Sequence, residues 1–181
     1  MKKPVILGIA LVLVVLTLVG FIASRRINQS AGENAVEKMI EAQTGAKVDI
    51  ETGANGQDVT IKTADGQTQY SAGGDVQLPA GFPQELVLVG DAKLIMASSS
   101  PTGSTVTYLT DFDQAAVFDK FISDLTGLGW KKDMEVNAGE GKMLNISKGN
   151  EMAYITIGEN SAKDQSARTM VNIVWAQEQD Q

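Results

Sequence analysis

The sequence predicts an α+β fold, in which an N-terminal transmembrane helix and a small helix-and-hairpin unit precede one helix packed on a mostly antiparallel sheet. Three observations predict this class. An unbroken apolar run covers residues 4–23, and an amphipathic helical pattern covers residues 111–128. Short runs of alternating apolar and polar residues, separated by Gly, Asn and Asp, fill most of the remaining chain.

The apolar run is bounded by Lys2 and Lys3 on one side and by Arg25 and Arg26 on the other. About 20 helical residues, rising about 1.5 Å each, span about 30 Å, which is the thickness of the hydrocarbon core of a bilayer. We therefore predict a transmembrane anchor with basic flanks over residues 1–26.

Two other interpretations of the run are a cleaved signal peptide and a buried core helix. Signal peptides normally have a shorter apolar region, and cleavage after residue 23 or 24 would place Phe21 or Ile22 where a small residue is needed. A core helix is rarely apolar on every face. The basic flanks nearly balance, so they do not set the orientation, and among the features of this segment the short N-terminal tail is the one that favours a direction. It favours a single-pass protein of the cell membrane, with the N-terminus cytoplasmic and the C-terminal domain extracytoplasmic.

The charge balance of the chain is acidic, with 15 Lys and Arg, 22 Asp and Glu, and a formal net charge of −7. Four of the basic residues flank the apolar run and no acidic residue precedes Arg26, so the rest of the chain holds 11 basic and 22 acidic residues, a net charge of −11. Such a surface repels phosphate backbones and anionic lipids, which excludes nucleic acid as a partner.

The residue types that are missing limit the chemistry. The chain has no His and no Cys, which removes the usual general base, the Ser-His-Asp arrangement, thiolate nucleophiles, disulfides and most zinc ligands. Asp111 and Asp113 begin like a calcium loop, but Ala116 and Ile122 stand where that loop needs Gly and Glu. We therefore assign no catalytic, cofactor-binding or metal-binding residues, and we expect no enzyme activity and no cofactor.

A polar linker over residues 27–34 leads into a small unit over residues 35–77. Residues 35–43 place apolar side chains at helical spacing, and Asp65-Gly66 is typical of a tight hairpin turn. The unit is predicted as a short helix followed by strands at residues 48–50, 59–63 and 67–71.

A link with two prolines over residues 78–84 precedes an α+β domain over residues 85–176 and a polar tail over residues 177–181. Phe82 in this link is expected to pack against a neighbouring core. Residues 98–104, which are rich in Ser and include Pro101, are predicted as a loop. The predicted strands of the domain are residues 86–89, 93–97, 105–109, 132–136, 143–148, 152–157 and 169–175.

The helix predicted at residues 111–128 begins with Asp111, which forms a capping-box-like pair with Gln114, and ends at Gly127 and Gly129. Its apolar stripe is Phe118, Phe121, Ile122, Leu125 and Leu128. Aromatic residues at this spacing are more often core than the lining of a ligand groove, so we predict Phe112, Phe118, Phe121 and Trp130 in the core. Trp175 is predicted to pack on an edge strand rather than to form an exposed anchor.

Three stretches belong together in this comparison: AVEKMIEAQTGAKVDI with VTIKTADGQTQYSAGG, then LPAGFPQELVLVGDAKLI, then VFDKFISDLTGLGW. They resemble a group of small bacterial exported or membrane-anchored proteins of unknown function. Members of this group combine an anchor or lipoprotein signal, a helix-hairpin unit, a Pro-containing link and a helix-on-sheet domain. The resemblance implies an extracytoplasmic C-terminal domain but no activity or site residue. The chain lacks the lipid-accepting cysteine of the lipoprotein members, which favours a transmembrane anchor.

The sequence therefore predicts a non-catalytic interaction or accessory module of the cell envelope, held to the membrane through residues 4–23. Its partner would be an unknown protein or small molecule in the envelope. One alternative is a small-ligand or carbohydrate-binding domain with a pocket between helix 111–128 and the loops. A second, ranked lower, is a hydrolase that relies on two carboxylates converging in a cleft with perturbed pKa values.

Overall fold

The computed structural model describes residues 37–38, 41–42, 47–52, 59–63, 68–87, 90–138, 141–160 and 167–177. The chain divides into two compact units, Met1–Gly74 and Asp75–Gln181. The predicted anchor, the linker over residues 27–34 and the Asp65-Gly66 turn lie outside the described residues. Within the described ranges, no helix has the length and apolar character needed to cross a membrane.

The first unit contains three antiparallel strands, β1 (Val48–Thr52), β2 (Val59–Thr63) and β3 (Gln69–Ala72). Ile50 pairs with Ile61, and Val48, Ile50 and Ile61 are buried, as the alternation of apolar and polar residues predicts. Residues 37–38 and 41–42 of the predicted first helix are helical. A carboxylate oxygen of Glu37 accepts a hydrogen bond from the backbone N–H of Ile50 at 3.0 Å, which ties this helical segment to β1.

In its described residues the second unit is one antiparallel sheet with one α-helix, so the predicted α+β class with a mostly antiparallel sheet is confirmed. The helix joins β5 to β6, and β9 returns to pair with β5, which gives the order β4-β5-β9-β8-β7-β6. The elements are a 3₁₀ helix (Gln84–Leu86), β4 (Lys93–Ser100), β5 (Gly103–Thr110), α1 (Gln114–Gly127), β6 (Lys131–Ala138), β7 (Gly141–Lys148), β8 (Glu151–Glu159) and β9 (Thr169–Gln177).

The core lies between α1 and one face of this sheet, which we call the inward face. Apolar residues recur in α1 at helical spacing and on the central strands at alternate positions, and their burial drives the two elements together. Phe82 is buried in this core, as predicted, with its ring edge-on to that of Trp175. The helix contributes Val117, Phe118, Phe121 and Leu125, and the strands contribute Val106, Tyr108, Leu144, Ile146, Ile155, Ile157, Val171 and Ile173.

The helix begins later than predicted, because Asp113 rather than Asp111 is its N-cap. The Asp113 carboxylate accepts the backbone N–H of Ala116 at 2.8 Å, whereas the backbone N–H of Asp111 donates to the side chain of Asp91. The buried apolar stripe of α1 also differs from the predicted stripe. Val117 is buried, and Leu128 is 48% exposed. Phe112 is also 48% exposed and outside the core, because it lies in the turn before the helix.

The helix ends in a hydrogen-bonded cap around Gly129. The N–H of Trp130 donates to the carbonyl of Leu125 at 2.9 Å, and the N–H of Gly129 donates to the carbonyl of Thr126 at 3.2 Å. This pattern needs a left-handed residue after the helix, and Gly129 has φ of +88°. The cap turns Trp130 into the core, where it is buried as predicted.

Three further predictions are wrong in detail. Residues 98–104 are not a loop, because β4 and β5 extend through the serines and only Pro101 and Thr102 turn the chain. Leu86 lies in the 3₁₀ helix rather than in a strand. Trp175 is packed and buried, but β9 has strand partners on both sides, so it is not an edge strand.

Candidate functional site

The face of the second unit's sheet that lies opposite α1, which we call the outward face, differs from an ordinary solvent-exposed sheet surface. Seven large apolar side chains on β6 to β9 point to this side and are 38–47% exposed. We call them the methionine-rich face. They are Met134, Val136, Met143, Met152, Tyr154, Met170 and Val174.

The strand register places these residues beside one another. Val136 of β6 lies opposite Met143 of β7, and Tyr154 of β8 lies opposite Val174 of β9. Asn145 of β7 lies opposite Met134 on one side and Tyr154 on the other. Side chains at such opposed positions lie about 4.5–5.5 Å apart at Cβ. The methionine-rich face is therefore a continuous surface across four strands.

The outward positions of β7, β8 and β9 hold no charged residue. The side chains between the apolar ones are neutral, namely Asn145, Ser147, Thr156 and Asn172. An antiparallel strand with one solvated face normally alternates apolar with polar or charged residues. In these three strands the charged residues instead occur at the inward alternation, as Lys142, Lys148, Glu151 and Glu159.

The edge strand β6 extends the same surface. All its side chains from Lys131 to Asn137 are exposed, and the strand carries a register shift between Lys132 and Met134. A bulge and charged residues at the start of an edge strand discourage open-ended strand pairing. Met134 and Val136 follow the bulge and the charged residues. The apolar residues of β6 therefore belong to the methionine-rich face rather than to an edge that pairs with other chains.

Glu85, Lys148 and Trp130 form one cluster of ionisable and aromatic groups. The ammonium of Lys148 donates to a carboxylate oxygen of Glu85 at 3.2 Å and lies 5.7 Å from the centre of the Trp130 ring. A backbone hydrogen bond at Glu85, followed by the interaction with Lys148, holds the pKa of Glu85 below its usual range. The carboxylate therefore stays ionised and ties the 3₁₀ helix to β7.

A second cluster forms where Asp91, just before β4, contacts residues at the end of β5. Its carboxylate accepts the hydroxyl of Thr110 at 2.7 Å and the backbone N–H of Asp111 at 2.9 Å, and these bonds lower the pKa of Asp91. Burial, and secondarily the charge of Asp91, raises the pKa of the nearby Tyr108 phenol. A general acid or base needs a pKa near the working pH, and these shifts move both groups away from neutrality.

The residues weighed above as candidates for a ligand groove or a calcium loop support the fold instead. Phe118, Phe121 and Trp130 fill the core, and Asp113 caps α1. Within the described ranges, no group of three or more Asp or Glu residues is placed to hold a metal ion. Sequence analysis missed the methionine-rich face, although its signal is present: in residues 143–157 and 169–175 both alternations lack charge except at the strand ends.

Comparison with known proteins supplies no relative from which a function could be transferred. The chain matches no protein-family model, no curated protein and no solved structure. The geometry of the methionine-rich face is therefore the observation on which a functional proposal has to rest.

Proposed function

We propose that this protein is a single-pass, membrane-anchored, extracytoplasmic interaction module that binds a partner protein of the cell envelope and has no catalytic activity of its own. The observation that carries the proposal is the methionine-rich face, an exposed surface on an acidic chain whose positions on β7 to β9 hold only apolar and neutral polar side chains. Large exposed apolar patches on soluble domains typically mark interaction sites.

The charges of the chain and of this face favour a protein as the binding partner. The chain beyond Arg26 carries a net charge of −11, which disfavours nucleic acid and anionic membrane surfaces. The outward positions of β7 to β9 offer no charge of either sign, so recognition there depends on apolar contact and shape. Methionine is flexible and polarisable, and it adapts to irregular partner surfaces. We therefore expect a partner that presents an uncharged, largely apolar surface.

The anchor is proposed from the sequence. The apolar run of residues 4–23 with its basic flanks is long enough to span a bilayer, and the polar linker over residues 27–34 would separate it from the folded units. This arrangement would confine the methionine-rich face to the neighbourhood of the membrane, where its partner would be concentrated.

The ionisable groups support a binding role over a hydrolase. The pKa values of Glu85, Asp91 and Asp124 all lie below their usual range. Each shift has a structural hydrogen bond as its main cause. A hydrolase with two carboxylates needs one of them to hold a proton near neutral pH, which requires a raised pKa.

Two measurements test the proposal. Protease protection on cells and spheroplasts, with the mass of the N-terminal peptide, tests the anchor: we expect an uncleaved chain whose domain is digested only when the outer barrier is opened. Co-purification from membranes tests the binding role. The double variant Met143→Glu with Tyr154→Glu should lose its partner, and Ala115→Glu on the exposed side of α1 should retain it. Equal partner recovery from both variants contradicts the proposed site.

A further inference from the structure

The methionines of the second unit are segregated by face. Each of the strands β6, β7, β8 and β9 carries one methionine, and each of these points outward and is 39–47% exposed. The buried positions of the same strands hold aliphatic residues, Ala153, Thr169 and Trp175 but no methionine. Four of the chain's seven methionines thus lie on one exposed surface: Met134, Met143, Met152 and Met170.

This distribution has a chemical consequence. The chain has no cysteine, so its thioethers are its only oxidisable sulfur atoms. The susceptibility of a sulfur atom to oxidation follows its exposure, and methionine sulfoxide is a reversible product that enzymes reduce back to the thioether. Leucine or valine would supply apolar contact without this reactivity, and the core of the same strands uses such aliphatic residues.

We propose that the methionine-rich face is a site of reversible methionine oxidation, in which conversion of Met134, Met143, Met152 and Met170 to sulfoxides switches off docking of the partner. The docking part of this inference rests on the proposed function. The modification part rests only on the positions and exposure of the four side chains.

The oxidant required is a peroxide. The lone pair of the methionine Sδ attacks one peroxide oxygen, the O–O bond breaks, and that oxygen becomes the sulfoxide oxygen. With hydrogen peroxide the remaining oxygen leaves as water after proton transfer, so the sulfur is oxidised by two electrons and the peroxide is reduced by two. A dithiol reductase reverses the step, since the dithiol becomes a disulfide and the sulfoxide oxygen leaves as water.

Oxidation changes the surface without attacking the core. Each sulfoxide adds a strong hydrogen-bond acceptor to a side chain that would otherwise make apolar contact, and burying such an acceptor without a donor is unfavourable. Because one methionine lies on each of four adjacent strands, oxidation would add such an acceptor on every strand of the methionine-rich face. The inward side chains of the same strands, such as Ile155 and Ile173, are shielded by α1 and stay unchanged.

The test exposes the full chain in nanodiscs to hydrogen peroxide and measures the oxygen added to each methionine by peptide mass spectrometry. Met96 on β4 lies opposite Thr107 and so faces the same side of the sheet, but it is less exposed than the four residues and is the internal reference. We expect the four methionines of the methionine-rich face to oxidise several-fold faster than Met96. Binding of an apolar fluorescent dye, corrected for empty nanodiscs, should fall in parallel and recover after treatment with methionine sulfoxide reductases and a dithiol.

A variant with all four residues changed from Met to Leu provides the control, and it should keep its dye binding after peroxide treatment. Single Met→Leu variants replace it if it fails to fold, and each should lose a fraction of the peroxide response. Oxidation of Met96 as fast as the four residues overturns the proposed site. Unchanged dye binding after oxidation, or loss of the folded circular-dichroism spectrum in parallel with it, overturns the switch.

The outcome for the proposed function is separate. If the untreated chain captures a partner from the methionine-rich face while oxidation has no effect, the binding role stands and the switch fails. If the untreated chain captures no partner there, the binding role fails whatever the oxidation rates are.

Discussion

Gly103, at the start of β5, is a position where one added side-chain atom would clash with the neighbouring strand. A Cβ added there would overlap the carbonyl oxygen of Trp175 and press on Ala176 in the neighbouring strand β9. The close approach of the two backbones therefore depends on the absence of a side chain. This contact joins the hairpin β4–β5 to the strand that completes the sheet.

Gly103→Ala should lower the free energy of unfolding by roughly 1–3 kcal/mol, because β5 or β9 has to shift to admit the methyl group. Gly127→Ala is the matched control, since nothing lies within 4 Å of its added Cβ and its backbone is helical. It should leave stability unchanged or raise it by about 0.4–1 kcal/mol. Urea unfolding of both variants measures the difference, and equal effects would contradict the proposed contact.

The carboxyl group of Asp91 makes the stability of the second unit depend on pH in the acidic range. Hydrogen bonds from the Thr110 hydroxyl and then from the Asp111 N–H lower its pKa in the folded chain relative to the unfolded one. The stabilisation is therefore present above the unfolded pKa, which is about 4, and is lost as the pH falls through the lower folded pKa.

We expect the melting temperature to fall as the pH is lowered from about 5 towards 2, with a shallower slope in Asp91→Asn. Thr110→Val removes the hydroxyl that stabilises the charged form, so it should flatten the same part of the profile. Because Asp91 is exposed, the change should be modest. Unaltered slopes in both variants would show that these hydrogen bonds do not hold the carboxylate in its charged form.

At the scale of the element, the start of α1 shows how local patterns are decided by their surroundings. Asp111 and Asp113 both suit a helix start in sequence, but the backbone of Asp111 is bonded to Asp91, which leaves Asp113 to cap the helix. No local pattern contains that information, because Asp91 lies 20 residues earlier in the chain.

Asp113→Ala should destabilise the fold by about 0.5–2 kcal/mol, because the Ala116 N–H loses its acceptor. Asp111→Ala should cost much less, since the hydrogen bond to Asp91 is donated by the backbone N–H of residue 111 and survives the substitution. Chemical unfolding of the two variants separates the alternatives. A larger loss at Asp111 would restore the helix start that the sequence pattern favours.

Much of the fold could be predicted from local periodicity. The spacing of Phe118, Phe121 and Leu125 predicted α1, and the bounds of β2 agree with the predicted strand. The errors arise where tertiary contacts override composition. The serines of residues 98–100 resemble a loop, yet they pair with β5, and Leu86 is drawn into the core from a 3₁₀ helix.

At the scale of the molecule, the sheet of the second unit has two apolar sides, of which α1 covers one. Tyr154 and Ile155 are neighbours on β8 that represent these sides, because Tyr154 is 45% exposed and Ile155 is fully buried. The sequence shows that both alternations of these strands lack charge, but strand order and register decide which alternation faces α1, so the sequence alone does not locate the candidate site. Only their combination shows that Met143 and Tyr154 belong to one exposed surface.

The two neighbours should respond differently to truncation. Ile155→Ala should cost about 2–5 kcal/mol of unfolding free energy, because it leaves a cavity under α1. Tyr154→Ala should cost about 1 kcal/mol or less, since only cross-strand contacts are lost. Thermal or urea unfolding distinguishes them, and a core-sized loss at Tyr154 would mean that this side chain serves the fold rather than an interface.

Site-specific photocrosslinking in intact membranes tests whether the methionine-rich face contacts a partner protein. A photoreactive amino acid is placed at Tyr154 or, as the control, at Ala115 on the exposed side of α1. We predict a discrete protein adduct from position 154 that is absent from position 115 and is lost when Met143→Glu is added. Identical adduct patterns from both positions, or an adduct that persists with Met143→Glu, would contradict the proposed interface.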